Sequence, residues 1–457
     1  MNFKTTGLFA LVLAVGILAV VLLDKQDEKK EETEKLEKKL LAVEKQDISE
    51  LILEPSGIHC VKDSNEWKIV APVETDGDKS AIESIANMFS WMNIERTISS
   101  DPAEYSQFGL APEVGKLIVI HKDGVDTLFL GDKSPTGSYV FARKGGSPDV
   151  FLTSTTLKSN VEKTLFNLRN KKALSFEKVN VRSFTLSCDA GVFDLEKVAG
   201  SWKIKKESSL DADQSEVDKI LNRLNSERAK EFVDEEPANL RKYGLDKPKV
   251  KVDLFLGENR AKKSLLIGSL ATKGYYAKDE SRKPVFILDT SFVNILDTDL
   301  YTLRKKDLAD FSSTDVTKLE LEFSGQLIVC NKDTSGTWMV TKPEPRKAKS
   351  WEISSITRKA AQLEVVKFVD DEPSSLARYG LDKPSVSAKF YRDDSLLLDV
   401  LIGKKDGDNY YAKLADKPSV YLIEKEVYET WTPKLDDIAE KPEPSDEKAA
   451  EQATLDN

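Results

Sequence analysis

The chain has 457 residues, of which 40% are hydrophobic and 32% charged, and a formal net charge of -10. That length exceeds one hydrophobic core and fits about three domains, while the composition is that of a body that folds in water. An acidic chain with no cluster of Lys and Arg argues against a nucleic-acid partner, because phosphate binding needs concentrated positive charge.

After a short tail at 1–6, Gly7 to Leu23 form an uncharged apolar run between Lys4 and Asp24. As a helix it is just long enough to cross the hydrocarbon core. Its end, Val20-Val21-Leu22-Leu23-Asp24, lacks the small residues of a cleavage site, and no lipid-accepting cysteine follows. The run is therefore expected to be an uncleaved signal anchor, making this a single-pass membrane protein. Six lysines between Lys25 and Lys39 would by charge count hold the body in the cytoplasm. Seven acidic residues accompany them, however, and large domains translocate largely regardless of charge. Residues 24–46, rich in Glu and Lys with Leu36, Leu40 and Val43 at helical spacing, predict a solvated helical stalk, with a short coiled coil as the sharper alternative.

From residue 47 the sequence repeats itself. Trp67, Trp202 and Trp338 are 135 and 136 positions apart, and so are Gly109, Gly244 and Gly380. Leu130-Gly131, Ile267-Gly268 and Ile402-Gly403 keep the step, as do Tyr139 to Arg143, Tyr275 to Lys278 and Tyr410 to Lys413. Leu168-Arg169 matches Leu303-Arg304, and the third copy lacks a matching Leu-Arg closing piece. Such a period marks a copied supersecondary unit. The expected boundaries are 47–178, 179–313 and 314–435, followed by a disordered acidic tail at 436–457.

Each copy carries an amphipathic helix: Ile82, Ile85, Phe89 and Met92 in the first, Val217, Ile220, Leu221 and Leu224 in the second, Ile353, Ile356, Ala360 and Leu363 in the third. The glycines at 109, 244 and 380 suit the left-handed position that ends a helix, with Leu following as its hydrophobic clasp. Pro102, Pro237 and Pro373 suit the helix start, each after an acidic residue placed as a cap. The remainder reads as short strands joined by turns, so the expected class is α+β, a mainly antiparallel sheet with packed helices.

No phosphate-cradling GxxxxGK[ST], HExxH, GxSxG or EF-hand pattern occurs. Ser175-Phe176-Glu177-Lys178 fits SxxK, which a chain this rich in Ser and Lys produces by chance. The acidic pairs Glu235-Glu236 and Asp371-Glu372 could suggest paired catalytic carboxylates, yet negative charge before a helix start is itself stabilising. Cys60, Cys188 and Cys330 form no CxxC pair and read as small buried hydrophobes. His59 and His121 lie in strand-like runs and read as structural. No residue is assigned a catalytic, cofactor or metal role. The adjacent aromatics Tyr275-Tyr276 and Tyr410-Tyr411 are the candidate interaction surface, since in a strand one of each pair points outward unless both faces are covered.

An N-terminal anchor, a Glu/Lys-rich segment, and the repeated Trp-Lys-Ile, Tyr-Gly-Leu-Asp-Lys-Pro and Ile-Gly…Tyr-Tyr-Ala-Lys motifs together resemble the bacterial family known as domain of unknown function 4340. Residues 243–248 and 379–384 carry the central motif in full, while the first copy departs as Phe108-Gly109-Leu110-Ala111-Pro112. The resemblance implies an extracytoplasmic, periplasmic body on the inner membrane and companionship with ABC-type export systems, including those named for gliding motility. It implies no catalytic residues. The expected function is a non-catalytic accessory or scaffold protein presenting interaction modules to transporter subunits or another cell-envelope partner. The alternative is an extracytoplasmic glycan-binding module using outward tyrosines.

Overall fold

The computed structural model describes residues 38–206 and 209–441. The tail at 1–6, the anchor at 7–23, the stalk up to residue 37 and the acidic tail beyond Lys441 lie outside the described residues. Among the described residues no helix is long and apolar enough to cross a membrane.

The first repeat shows how the sequence builds the unit. Its strands are β1 (Ile48–Glu54), β2 (Ile58–Asp63), β3 (Glu66–Ala71), β4 (Thr75–Asp76), β5 (Arg96–Ser99), β6 (Gly115–His121), β7 (Gly124–Lys133), β8 (Tyr139–Lys144) and β9 (Val150–Ser154). Its helices are α1 (Lys79–Met88), α2 (Thr156–Val161) and α3 (Leu165–Leu168). The sheet runs β4-β3-β2-β1-β6-β7-β8-β9-β5. Two antiparallel meanders, β1 to β4 and β6 to β9, therefore meet along β1 and β6, and β5 returns to the far edge against β9. The second and third repeats each form a nine-stranded sheet of the same order.

Alternation places Leu51 and Leu53 of β1 with Leu117 and Val119 of β6 on the core face, under α1. The apolar stripe read from the sequence is that buried face, since Ile82, Ile85, Phe89 and Met92 are all at most 1% exposed. The matching stripes at Val217 to Leu224 and Ile353 to Leu363 are buried likewise. Each such Ile or Leu contributes about 1.5–3 kcal/mol of burial. Asp78 caps α1 by accepting from the Ala81 N–H at 3.1 Å, and Asp213 accepts from the Glu216 N–H at the same distance. Lys349 stands at that place in the third copy and cannot accept; its Nζ donates to the Asp436 carbonyl instead.

The three tryptophans have like surroundings. Each is buried in its sheet, and its carbonyl accepts from a residue ten positions on: Gly77 to Trp67 at 2.8 Å, Ala212 to Trp202 at 3.2 Å, Ala348 to Trp338 at 2.9 Å.

Two boundaries differ from the sequence expectation. Leu40 and Leu41, within the expected stalk, are buried in the first core, and the Leu40 N–H donates to the Met92 carbonyl at 2.8 Å. Helical spacing of Leu36, Leu40 and Val43 suggested a stalk, but from Lys38 the chain instead lies along the first repeat and bridges Asn93. At the other end the third copy does possess its closing piece, Leu435–Ile438, and Ile438 and Ala439 are buried. The Lys349 N–H donates to the Ile438 carbonyl as Asp78 does to Leu168 and Asp213 to Leu303. Ile438-Ala439 thus occupies the place of Leu168-Arg169, and the loss of arginine hid the match.

The chain divides into two compact units. One holds the first repeat with Arg223–Lys251 and Lys263–Val293; the other holds Asn180–Asn222, Val252–Lys262 and the third repeat. Contacts joining the first repeat to the second lie within the former, and those joining the second to the third within the latter.

Candidate functional site

Each Gly-Leu motif closes a short 3-10 helix, Pro102–Phe108, Leu240–Tyr243 or Ala377–Tyr379. The glycines that follow have φ of 68°, 68° and 70°. Leu110, Leu245 and Leu381 donate back to the carbonyls of Tyr105, Leu240 and Leu376 at 2.9, 3.1 and 3.1 Å. The Gly109, Gly244 and Gly380 N–H groups reach Ser106, Arg241 and Ala377. This pair of bonds is the Schellman closure. Leu245 clusters with Leu240 as the clasp requires, and Leu381 with Leu376. The start of the motif differs from expectation. Asp101 caps the first copy, with Pro102 opening its helix, but Pro237 and Pro373 lie ahead of theirs, and Asn239 is the cap in the second.

The motif's second glycine explains itself by contact. A Cβ on Gly131, Gly268 or Gly403 would stand 2.1, 2.1 or 2.2 Å from the carbonyl oxygen of Phe108, Tyr243 or Tyr379. The Schellman loop therefore lies directly on the strand, and only glycine permits that approach.

Tyr243 and Tyr379 are buried by this packing, and their hydroxyls donate to Asp234 and Asp370 at 2.6 and 2.9 Å. Tyr276 and Tyr411, two of the candidate surface residues, lie edge-on to them with ring centroids 5.0 Å apart in both copies. Phe108 and Phe141 form the corresponding pair in the first copy. Tyr410 stacks on Tyr428 at 4.1 Å. All four candidates, Tyr275, Tyr276, Tyr410 and Tyr411, are half-buried.

The hydrogen bond from Tyr243 is the first cause holding the Asp234 carboxyl below its ordinary range. A depressed carboxylate pKa contributes stability above the unfolded value, near 3.9, that is lost as pH falls through the folded one. Tyr243→Phe should raise the Asp234 pKa towards 3.9 and shrink the acid-induced loss of stability below about pH 4. NMR titration of the carboxyl checks this, and an unchanged Asp234 pKa would contradict it.

What sequence reading missed is the joint between repeats. Arg169, directly after α3, is 2% exposed, and its Nη1 and Nη2 donate to the two oxygens of Glu235 at 2.5 and 3.0 Å. Its guanidinium lies 3.5 Å from the Phe232 ring centroid. Arg304 repeats the arrangement one copy later, with Asp371 at 2.5 and 3.1 Å and Phe368 at 3.8 Å. Phe166 and Tyr301 add edge contacts to the same phenylalanines. In the first joint Arg282 also donates to the carbonyls of Lys172 and Ala173 at 2.5 and 3.0 Å. Glu235 and Asp371 are thus docking partners, correcting their reading as helix-start charges. The signal was present: Leu-Arg recurs, while the acid and the phenylalanine recur only in copies that have a predecessor.

At both ends the joint residues change. Ala439 and Asp436 stand where Arg169 and Phe166 stand, and the first copy has Ser100 and Thr97 in place of the acid and the phenylalanine. Neither place keeps the arginine–carboxylate pair with its phenylalanine.

Burial pushes the Cys60 and Cys330 thiols up to about 12. Cys188 is half-buried, its Sγ donating to the Thr298 carbonyl at 3.3 Å. A thiol reagent at pH 8 should therefore modify at most one cysteine of the native protein and three after denaturation. Three reacting in the native state would contradict the buried assignment. His59 pairs with Glu50 at 2.6 Å and His121 with Asp126 at 3.0 Å, both across the sheet. Among the described residues no group of three or more His, Cys, Asp or Glu could hold a metal ion.

The family described as Domain of unknown function (DUF4340) matches the chain three times, over residues 67–209, 202–352 and 338–443. Each match begins at one of the recurring tryptophans, and the first two run into the following repeat. No curated protein and no solved structure matches the chain.

Proposed function

The chain belongs to the DUF4340 family, and on that premise we propose that it is a non-catalytic, membrane-anchored accessory or scaffold protein. It presents three interaction modules on the periplasmic side of the inner membrane to an ABC-type export system or another cell-envelope partner. One observation carries this reading: the recurring residues are engaged in shape. Tryptophan and the paired glycines close the module, tyrosine and aspartate pin its loop, and arginine with its acid couples one copy to the next. What is multiplied is one folded module. The apolar run at 7–23 supports attachment to a membrane, and the acidic balance argues against a nucleic-acid target.

The test is purification of the full-length chain from membranes in mild detergent after crosslinking in cells. Transporter permease or ATPase subunits should be enriched with it. A monodisperse, partner-free protein after efficient crosslinking would contradict the proposal. Compartment is read separately by placing a cysteine at the exposed Asp394 of a Cys188→Ser chain and labelling with a membrane-impermeant maleimide. Labelling without lysis of the inner membrane is expected, and labelling only after lysis would place the body in the cytoplasm. The glycan-binding alternative draws less support, because Tyr276, Tyr410 and Tyr411 already have ring partners.

A further inference from the structure

One turn recurs in all three copies, just ahead of the strands that begin at Val150, Val285 and Val420. Ser147, Arg282 and Lys417 close it, their backbone N–H groups donating to the carbonyls of Lys144, Asp279 and Leu414 at 3.3, 3.0 and 3.2 Å. The segment that each turn faces recurs too, because Lys39, Lys172 and Asp307 form matching bridges to Asn93, Arg228 and Glu364. In the first two copies a cation crosses from the turn to that segment. Lys144 Nζ reaches the Lys39 carbonyl at 3.5 Å. Arg282 Nη2 donates to the carbonyls of Lys172 and Ala173 at 2.5 and 3.0 Å, while its Nε donates to Asp279 at 3.0 Å.

The third copy has lost this contact. Leu414 stands in place of Asp279, so the carboxylate that steadies Arg282 is gone, and Lys417 stands in place of Arg282 itself. Among the described residues no group donates to the carbonyls of Asp307 and Leu308. A cavity of about 500 Å³ opens there, lined by Asp307, Leu308, Lys417, Phe368 and Tyr421 among others. Its cations are engaged. Arg304 is held by Asp371. Lys417 and Lys305 lie near Asp211, whose carboxyl is held below its ordinary range first by the Lys203 hydrogen bond and further by their charges. Asp307, Asp310 and Glu372, which also line the cavity, form no ion pair among the described residues.

The first joint shows what such a set receives. Arg282 lies 5.7 Å from the Phe286 ring, and Tyr421 holds the Phe286 position, each paired with the phenylalanine of its joint. Two neighbouring carbonyls beside carboxylates suit the planar fork of a guanidinium better than the point charge of an ammonium. We propose that the second joint is a binding site for a guanidinium group, an arginine side chain of a partner protein taking the place that Arg282 fills in the first. The pocket rests on the comparison of the two joints alone. That a partner carries the arginine rests on the accessory-protein reading.

In calorimetry the full-length chain in mild detergent should bind N-acetyl-arginine amide at least about tenfold more tightly than N-acetyl-lysine amide. The double variant Leu414→Asp with Lys417→Arg restores the chain's own occupant, and its affinity for the arginine probe should fall at least about tenfold. No binding of that probe, equal binding of the two probes, or undiminished binding by the variant would overturn the site. Should the variant fail to fold, hydrogen exchange in the unmodified chain decides. The arginine probe should slow the amides of 307–310 and 415–417 at least about threefold, and unaltered exchange there would equally overturn the site. Crosslinking in cells then tests the source, since the variant should recover less partner than the unmodified chain. Undiminished recovery, or no partner even from the unmodified chain, would overturn the partner assignment and leave the pocket to a free guanidinium compound.

Discussion

Arg169→Ala is expected to destabilise the unit that holds the first repeat by about 2–4 kcal/mol, because it strands a partly buried Glu235 and strips the contact on Phe232. Breaking a fully buried pair costs about 3–5 kcal/mol. Glu235 is 33% exposed and recovers some hydration, which places the expectation at the lower end of that range or just below it. In thermal unfolding the corresponding transition should fall by about 5–10 °C. Arg304→Ala should act with similar size at the second joint, where Asp371 is 32% exposed. Arg241→Ala is the contrast. That side chain is 82% exposed and paired with Asp246 at 3.3 Å, so its loss should cost under about 0.5 kcal/mol. Equal effects of Arg169→Ala and Arg241→Ala would mean that the joint adds nothing beyond a surface ion pair.

Gly268→Ala should cost at least about 3 kcal/mol, the upper range for forcing atoms into a packed site. The added Cβ meets the Tyr243 carbonyl oxygen at 2.1 Å and the Gly244 carbonyl carbon at 2.9 Å. Both obstacles are backbone within a hydrogen-bonded loop, so neither yields as a flexible side chain does. Gly325→Ala separates this clash from backbone strain: it has φ +74° but nothing within 4 Å of the new Cβ. Only the left-handed penalty of about 1–2 kcal/mol applies there. Urea titration of both variants checks the ranking, and a Gly268→Ala protein as stable as Gly325→Ala would show that the loop can lift from the strand.

Much of the module was legible in the sequence because it is specified locally. The stripes Ile82 and Ile85, Val217 to Leu224, and Ile353 to Ala360 are each periodic within one helix and are buried as expected, while Phe89, Met92 and Leu363 are buried just past the helix ends. The left-handed glycines announce themselves by the proline and leucine around them. Strand order was not legible, since β5 pairs with β9 across some fifty residues of intervening chain and no local pattern records that choice. The joint was hidden for a related reason. Arg169 and Glu235 are 66 positions apart, and Glu235 sits beside a proline where helix-start chemistry offers a sufficient local account. The third closing piece escaped notice because Ala439 replaces the arginine that marked the other two. Ala439 keeps the backbone bridge to Ala348 and drops the side chain. The tyrosine pairs were legible as aromatic steps in a strand, but their partners Tyr243, Tyr379 and Tyr428 come from other elements.

The account stands on one module copied three times and coupled through the same contact twice. Double-mutant cycles in the full-length chain, Arg169→Ala with Glu235→Ala and Arg304→Ala with Asp371→Ala, test it most directly. Coupling energies of about 1–3 kcal/mol, alike at the two joints, are predicted. Additive effects at either joint would contradict it, because the copies would then be held together by something other than the contact they share.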